Sequence, residues 1–125
     1  MSRVQLSINV SDFDAAVAFY SRLFGTTPAK LRPGYANFAI DDPPLKLVLN
    51  CPGNGPGGTI NHLGVEVSST GEVTQAEARL AAAGLVTESR PGTECCYARQ
   101  DKVWAHGPDQ VAWEYYTVLE HIETP

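Results

Sequence analysis

No stretch of the sequence reaches the roughly 18 consecutive apolar residues that a membrane-spanning helix needs. The opening MSRVQLSINV also lacks the charged-then-apolar pattern of an export signal, so a cytoplasmic protein is expected. There is no run of like charge, and 9 Lys+Arg against 14 Asp+Glu leave a net charge of −5. An acidic chain without a basic stripe is a poor match for a nucleic-acid backbone or an anionic membrane surface. Small molecules or proteins are the expected partners. Cysteine is scarce and odd in number, at three, which fits free thiols better than a disulfide framework. With 125 residues, 43% of them apolar, the chain is long enough for one globular domain, 1–125, and too short for two ordinary ones.

What the chain does contain is a repeat. VQLSINV at 4–10 lies over NHLGVEV at 61–67 with an offset of 57 residues. In the first, Val4, Leu6, Ile8 and Val10 alternate with Gln5, Ser7 and Asn9; in the second, Leu63, Val65 and Val67 alternate with His62, Gly64 and Glu66. Period-2 alternation predicts a strand with one apolar and one polar face. The offset continues into helical spacing, where Ala16, Phe19 and Leu23 correspond to Val73, Ala76 and Leu80. Ser11-Asp12 and Ser69-Thr70 are placed to cap these helices, and Gly25 and Gly84 to end them. Phe19, Phe24, Trp104 and Trp113 read as core aromatics.

Further strands follow: GYANFAI, a DDPP turn and LKLVLN in the first half; ECCYAR, a turn near Gln100-Asp101, KVWAH, a GPDQ turn and VAWEYYTV in the second. Short edge strands are expected around 27–31 and 95–99. The predicted fold is α+β, with two βαβββ modules at about 2–50 and 60–118 forming a curved mixed sheet or half-barrel around a cleft. The Gly/Pro-rich segment 51–59 is the linker, and Cys51 within it is incidental.

The repeat gives Gln5 and His62 equivalent positions on the polar faces of equivalent strands. On the last strand Glu114 can enter the same cleft, while its counterpart in the first half is Val48, which cannot ligate. Amide oxygen, imidazole and carboxylate form a borderline-to-hard set suited to Fe(II), Mn(II), Ni(II), Co(II) or Zn(II), leaving positions open for other ligands.

This duplicated plan resembles the vicinal oxygen chelate superfamily of glyoxalases, bleomycin-resistance proteins and dioxygenases. Within it, the opening RVQLSINVSDFDAAVAFYSRLFG, the strand INHLGVEV and the segment ECCYARQDKVWAHGPDQVAWEYYTVL are similar to the ArsI organoarsenical lyases and the CadI-type cadmium-induced proteins. The resemblance implies a lyase that uses non-haem Fe(II) and O2 to cleave the carbon–arsenic bond of trivalent methylarsenite and release arsenite. It implies Gln5, His62 and Glu114 as catalytic metal ligands, Cys95 and Cys96 as the arsenic clamp, and Tyr97 beside them in the substrate site. Two alternatives come from other classes: a protein that sequesters cadmium or arsenic through its thiols, and a glyoxalase-like isomerase or thiol transferase. A monomer or a homodimer is compatible with both halves lying in one chain.

Adjacent residues of a regular strand point to opposite faces, so Cys95 and Cys96 can hold one arsenic atom only where the backbone leaves strand geometry. Pro91-Gly92-Thr93 suggests a mobile loop over 91–102 that closes on the substrate. Arg99 and Lys102 would favour thiolate formation. Tyr97, Arg99, Lys102, His106 and Tyr116 are candidates for orienting the site or relaying protons.

Overall fold

The structure, a computed structural model, describes residues Ser2–Pro125. The element order is β1 (Arg3–Asn9), α1 (Phe13–Phe24), β2 (Lys30–Arg32), β3 (Tyr35–Ile40) and β4 (Leu45–Asn50). After it come β5 (Ile60–Glu66), α2 (Thr70–Ala82), β6 (Thr87–Cys95), β7 (Ala98–His106) and β8 (Ala112–His121). The βαβββ pattern therefore occurs twice, as the repeat predicts. Two compact units result, Arg3–Leu63 and Gly64–Pro125 with Ser2.

In the first unit the strands lie in the order β2-β3-β4-β1, with β1 and β4 parallel and the other pairs antiparallel. Its core is Ala36, Phe38, Ile40, Leu47 and Leu49. Leu6 and Ile8 of β1, and Phe13, Ala16, Val17, Tyr20 and Phe24 of α1, pack against it. The apolar stripe of α1 is thus rotated from the expected one. Phe19 and Leu23 are more than half exposed, and Phe19 is no core residue. The repeat had matched them to buried positions of α2, but α1 is apolar on most of its circumference, so spacing alone did not select a face. In α2 the expected Val73, Ala76 and Leu80 are buried.

Capping selects one residue from each predicted pair. Asp12 accepts a hydrogen bond from Ala15 N–H, and Ser69 accepts one from Glu72 N–H. Gly25 ends α1 at φ 63°, a left-handed conformation in which a side chain is strained.

In the second unit, to which only the Gly64–Glu66 end of β5 belongs, the order is β5-β8-β7-β6, with β6–β7 and β7–β8 antiparallel. Here the sequence reading needs two corrections. The turn expected at Gln100-Asp101 is instead a paired stretch of β7, and the chain reverses at Cys96-Tyr97. The segment 91–102 is accordingly a β-hairpin for most of its length rather than a loop. Its irregular part is a bulge between Arg90 and Thr93, where Gly92 N–H donates to Asp101 Oδ1 at 2.7 Å. Thr70 at the start of α2 donates to the other carboxylate oxygen at 2.6 Å. These two donors hold the Asp101 carboxyl below its ordinary range. Trp104 is partly buried and Trp113 is 37% exposed, so neither sits in the interior.

No helix among the described residues is long and apolar enough to cross a membrane.

Candidate functional site

Two groups of candidate side chains assemble, one in each unit. In the first, the polar face of β1 turns inward: Gln5, Ser7 and Asn9 are buried while Val4 is nearly half exposed. Buried polar atoms need partners. Ser7 Oγ accepts from Asn50 Nδ2 at 2.8 Å, and Gln5 Nε2 lies 3.2 Å from His62 Nε2. The two residues paired by the repeat thus meet side chain to side chain. His62 Nδ1 lies 2.8 Å from Asn61 Oδ1. Asn61 was not singled out in the sequence, although its place next to His62 on the strand was available as a signal.

In the second unit, Cys95 and Cys96 close the β6–β7 hairpin. Cys95 pairs with Ala98 across a two-residue turn in which Cys96 (φ 57°) and Tyr97 (φ 62°) both adopt left-handed backbone conformations. Consecutive positive φ values define the primed turn whose twist matches antiparallel strands. This is a departure from strand geometry, and it lets the Cys96 thiol hydrogen-bond the Cys95 sulfur. Tyr97 is buried, and its N–H and C=O bond to Thr124 O and Ile122 N–H at 3.1 and 3.0 Å.

Alternation on β7 and β8 places Lys102, Trp104, Glu114 and Tyr116 on one face. Lys102 Nζ donates to Glu114 Oε1 at 2.8 Å and to Cys95 Sγ at 3.5 Å. It also lies 5.3 Å from the Trp104 ring centre and 5.8 Å from that of Tyr116. Lys102 and Glu114 are both almost wholly buried. Burial alone would lower the Lys102 pKa, but Glu114 and Cys95 outweigh it and the net movement is upward.

Cys95 is lowered from 9.0 to about 6, first because the Cys96 thiol donates to it; burial opposes this, and the Lys102 charge assists. Cys96 is pushed up, because giving up its proton would break that bond and place a second negative charge beside the first in a partly dry site. Of the two sulfurs, Cys95, with Lys102 Nζ 3.5 Å away, is the one whose ionisation is favoured. Gln100 Nε2 completes the surroundings, donating to Cys95 O at 3.3 Å and approaching its sulfur at 3.7 Å.

Of the other candidates, Tyr116 is buried with its hydroxyl donating to Glu66 Oε1 at 3.0 Å. Arg99 does not serve the thiols; it forms an exposed pair with Glu120 at 2.8 Å. His106 is exposed and stacks beside Trp104. Cys51 Sγ approaches Ser11 O at 3.9 Å. Among the described residues no three His, Cys, Asp or Glu side chains gather closely enough to hold a metal ion.

Donor chemistry allows a metal to be tested against these groups. The Gln5 amide and the His62 imidazole converge within hydrogen-bonding distance, so both could turn a lone pair to one cation, and His62 is steadied from behind by Asn61. Glu114 supplies a buried carboxylate whose charge Lys102 balances. These donors suit a borderline-to-hard divalent ion.

The profile of the Glyoxalase/Bleomycin resistance protein/Dioxygenase superfamily matches residues 2–115. The chain belongs to this superfamily. It is 63% identical over 124 residues to the cadmium-induced protein CadI of Mycobacterium tuberculosis, covering 99% of this chain and 81% of that protein. It is 54% identical over 125 residues to a trivalent organoarsenical cleaving enzyme of Thermomonospora curvata, covering 99% and 82%. Among solved structures, the Mn(II)-bound glyoxalase of Novosphingobium aromaticivorans is similar with a TM-score of 0.65 and 22% identity, covering 100% of this chain and 42% of that one. That likeness establishes the superfamily fold, with its duplicated βαβββ plan.

Proposed function

We propose that the protein cleaves the carbon–arsenic bond of trivalent organoarsenicals such as methylarsenite, with Fe(II) and O2, in the cytoplasm. The observation that carries this reading is the pair of adjacent thiols on the hairpin turn, with the Lys102 ammonium 3.5 Å from Cys95 Sγ. Similarity to an organoarsenical cleaving enzyme at 54% identity supports it.

Capture follows from the two thiols. The Cys95 thiolate attacks arsenic, forming an S–As bond as hydroxide leaves. The Cys96 sulfur then displaces the second hydroxide, which takes the Cys96 proton away as water. The arsenic keeps its methyl group and its trivalent state, and two sulfurs hold it. Lys102 balances the Cys95 charge before attack and stays paired with Glu114 afterwards. Gln5, His62 and Glu114 would hold the metal, and bound Fe(II) supplies the redox chemistry for O2-dependent cleavage. Buried Tyr116, whose ring centre lies 5.8 Å from Lys102 Nζ, would limit water around the captured arsenical.

The test is anaerobic loading with Fe(II), addition of methylarsenite, and admission of oxygen while arsenic speciation is followed. Arsenite should appear only when iron and O2 are both present. His62→Ala and Glu114→Ala are expected to lower turnover at least about 100-fold, the scale of removing a group that acts at the reacting centre. Both should still take up one equivalent of methylarsenite. Turnover retained in both variants would refute the ligand assignment.

A second reading, sequestration of cadmium or arsenic by the thiols alone, is favoured by the 63% identity to a cadmium-induced protein. Under that reading uptake is stoichiometric and no arsenite is released. An isomerase or transferase of the glyoxalase type is disfavoured, because buried Val48 stands where the repeat would place a fourth ligand.

A further inference from the structure

Three asparagines and the His62 imidazole form a chain of hydrogen bonds in the first unit whose direction is fixed from one end. The backbone N–H of Asn54 can only donate, and it meets Asn9 Oδ1 at 3.1 Å. Asn9 Nδ2 consequently faces acceptors, Asn54 Oδ1 and Thr59 Oγ1, each at 3.0 Å. Asn61 Nδ2 gives Asn9 Oδ1 a second donor at 3.0 Å, which turns Asn61 Oδ1 toward His62 Nδ1 at 2.8 Å. An amide oxygen only accepts, so His62 carries a proton on Nδ1. In the neutral ring Nε2 is then the lone-pair nitrogen, and it is the atom that meets Gln5 Nε2.

This chain is anchored firmly. Asn9 is 1% exposed, so water does not compete for its amide. Its backbone is tied to the same segment, through Asn9 N–H to Thr59 O at 2.9 Å and Gly58 N–H to Asn9 O at 2.7 Å. A methyl group at Gly53 would overlap Asn9 Oδ1, so glycine is required there for the close approach. Residues 51–59 are thus more than the linker that their composition suggests.

We propose that Asn61, held in place by Asn9, is a positioning residue for His62: it fixes the tautomer and rotation of the ring so that Nε2 offers its lone pair to a divalent cation. The proposal rests on His62 being a metal ligand, as argued above. Its physical basis is that an unanchored imidazole divides between two tautomers and several ring rotations, and binding must then select one. Histidine ligands ordinarily donate their second ring N–H to an oxygen for this reason, and loss of that oxygen lowers metal affinity about 10–100-fold.

The test uses Mn(II), whose preference for oxygen and nitrogen donors keeps it away from the thiols. Free Mn(II) is measured by electron paramagnetic resonance during titration of the wild type, Asn61→Ala and His62→Ala. Ring-nitrogen NMR of the metal-free proteins reports the His62 tautomer. We expect the Nδ1–H form in the wild type, a mixture of tautomers in Asn61→Ala, and a loss of Mn(II) affinity of about 10–100-fold in that variant. Wild-type affinity in Asn61→Ala, with binding lost in His62→Ala, would overturn the positioning role and leave the ligand assignment standing. Equal affinity in the wild type and His62→Ala would overturn the ligand assignment itself. An Nε2–H tautomer in the wild type would overturn the proposal independently of any metal.

Discussion

Serine at position 95 or 96 is expected to weaken methylarsenite binding by about 10²- to 10⁴-fold, the range by which a second, intramolecular attachment exceeds a single one. Arsenic in methylarsenite has two exchangeable hydroxyls, so one remaining sulfur makes one bond and leaves the other position to water. The two variants should differ in rate. Cys95→Ser removes the ionised sulfur, so capture by Cys96 alone becomes slow, because that thiol is held protonated. Cys96→Ser leaves Cys95 with a hydroxyl neighbour in place of the thiol, and capture should stay faster than in the first variant. Stopped-flow or calorimetric titration with methylarsenite measures both effects, and Mn(II) affinity, read separately, should not change. Full-strength binding by either variant would refute the two-sulfur clamp.

Lys102→Met should have the next largest effect, with two separable consequences. The first concerns the thiol. Removing the ammonium 3.5 Å from Cys95 Sγ raises the Cys95 pKa from about 6 toward 9.0. It should stop short of that value, since the Cys96 thiol still donates. Alkylation of Cys95 by iodoacetamide, followed by site-resolved mass spectrometry, should rise with pH through a midpoint near 6 in the wild type and at a higher pH in the variant. The sign for stability follows. Cys95, ionised in the fold at about 6 but unfolded at 9.0, gives stability that is lost as pH falls from 9 toward 6, while Cys96, raised in the fold, takes stability away as pH rises above 9. That pH dependence should flatten in the variant. The second consequence concerns Glu114, left buried without its cation, at a cost of about 3–5 kcal/mol measured by urea unfolding. Combining Lys102→Met with Glu114→Gln should recover part of that loss, because no uncompensated charge remains. An unchanged alkylation profile in Lys102→Met would show that the lysine does not set the reactivity of the pair.

Much of this was legible in the linear sequence because it rests on period and repetition. The alternation of 4–10 and its copy at 61–67 was enough to pair Gln5 with His62, and the inward parity of β8 was enough to select Glu114 over Trp113. Elements marked by strong local chemistry, such as Asp12, Ser69 and Gly25, fell where capping rules put them. The hairpin did not. Gly92 looks like a turn residue and Cys96-Tyr97 does not, yet Gly92 serves a bulge and the turn is made by two side-chain-bearing residues with positive φ. Propensity favours glycine or asparagine at such positions. Here the strand partners on both sides and the bonds from Tyr97 to Ile122 and Thr124 overrule it. Lys102 was legible as a cation near the thiols, but its bond to Glu114 was not, because the two lie on different strands and meet diagonally. Asn9 and Asn61 were hidden for a different reason: an asparagine on a strand's polar face looks alike whether solvated or locked in a network.

The bulge between Arg90 and Thr93 also makes the hairpin sensitive to length. Beyond it, Thr93, Glu94 and Cys95 pair with Gln100, Arg99 and Ala98, so the one extra residue on β6 sets the phase in which its end meets β7. Deleting Glu94, beyond the bulge, would slip that phase by a single step and send alternate side chains through the sheet. Such a shortened chain could keep every atom named in the chemistry and still aim its sulfur away from the ammonium that helps to ionise it.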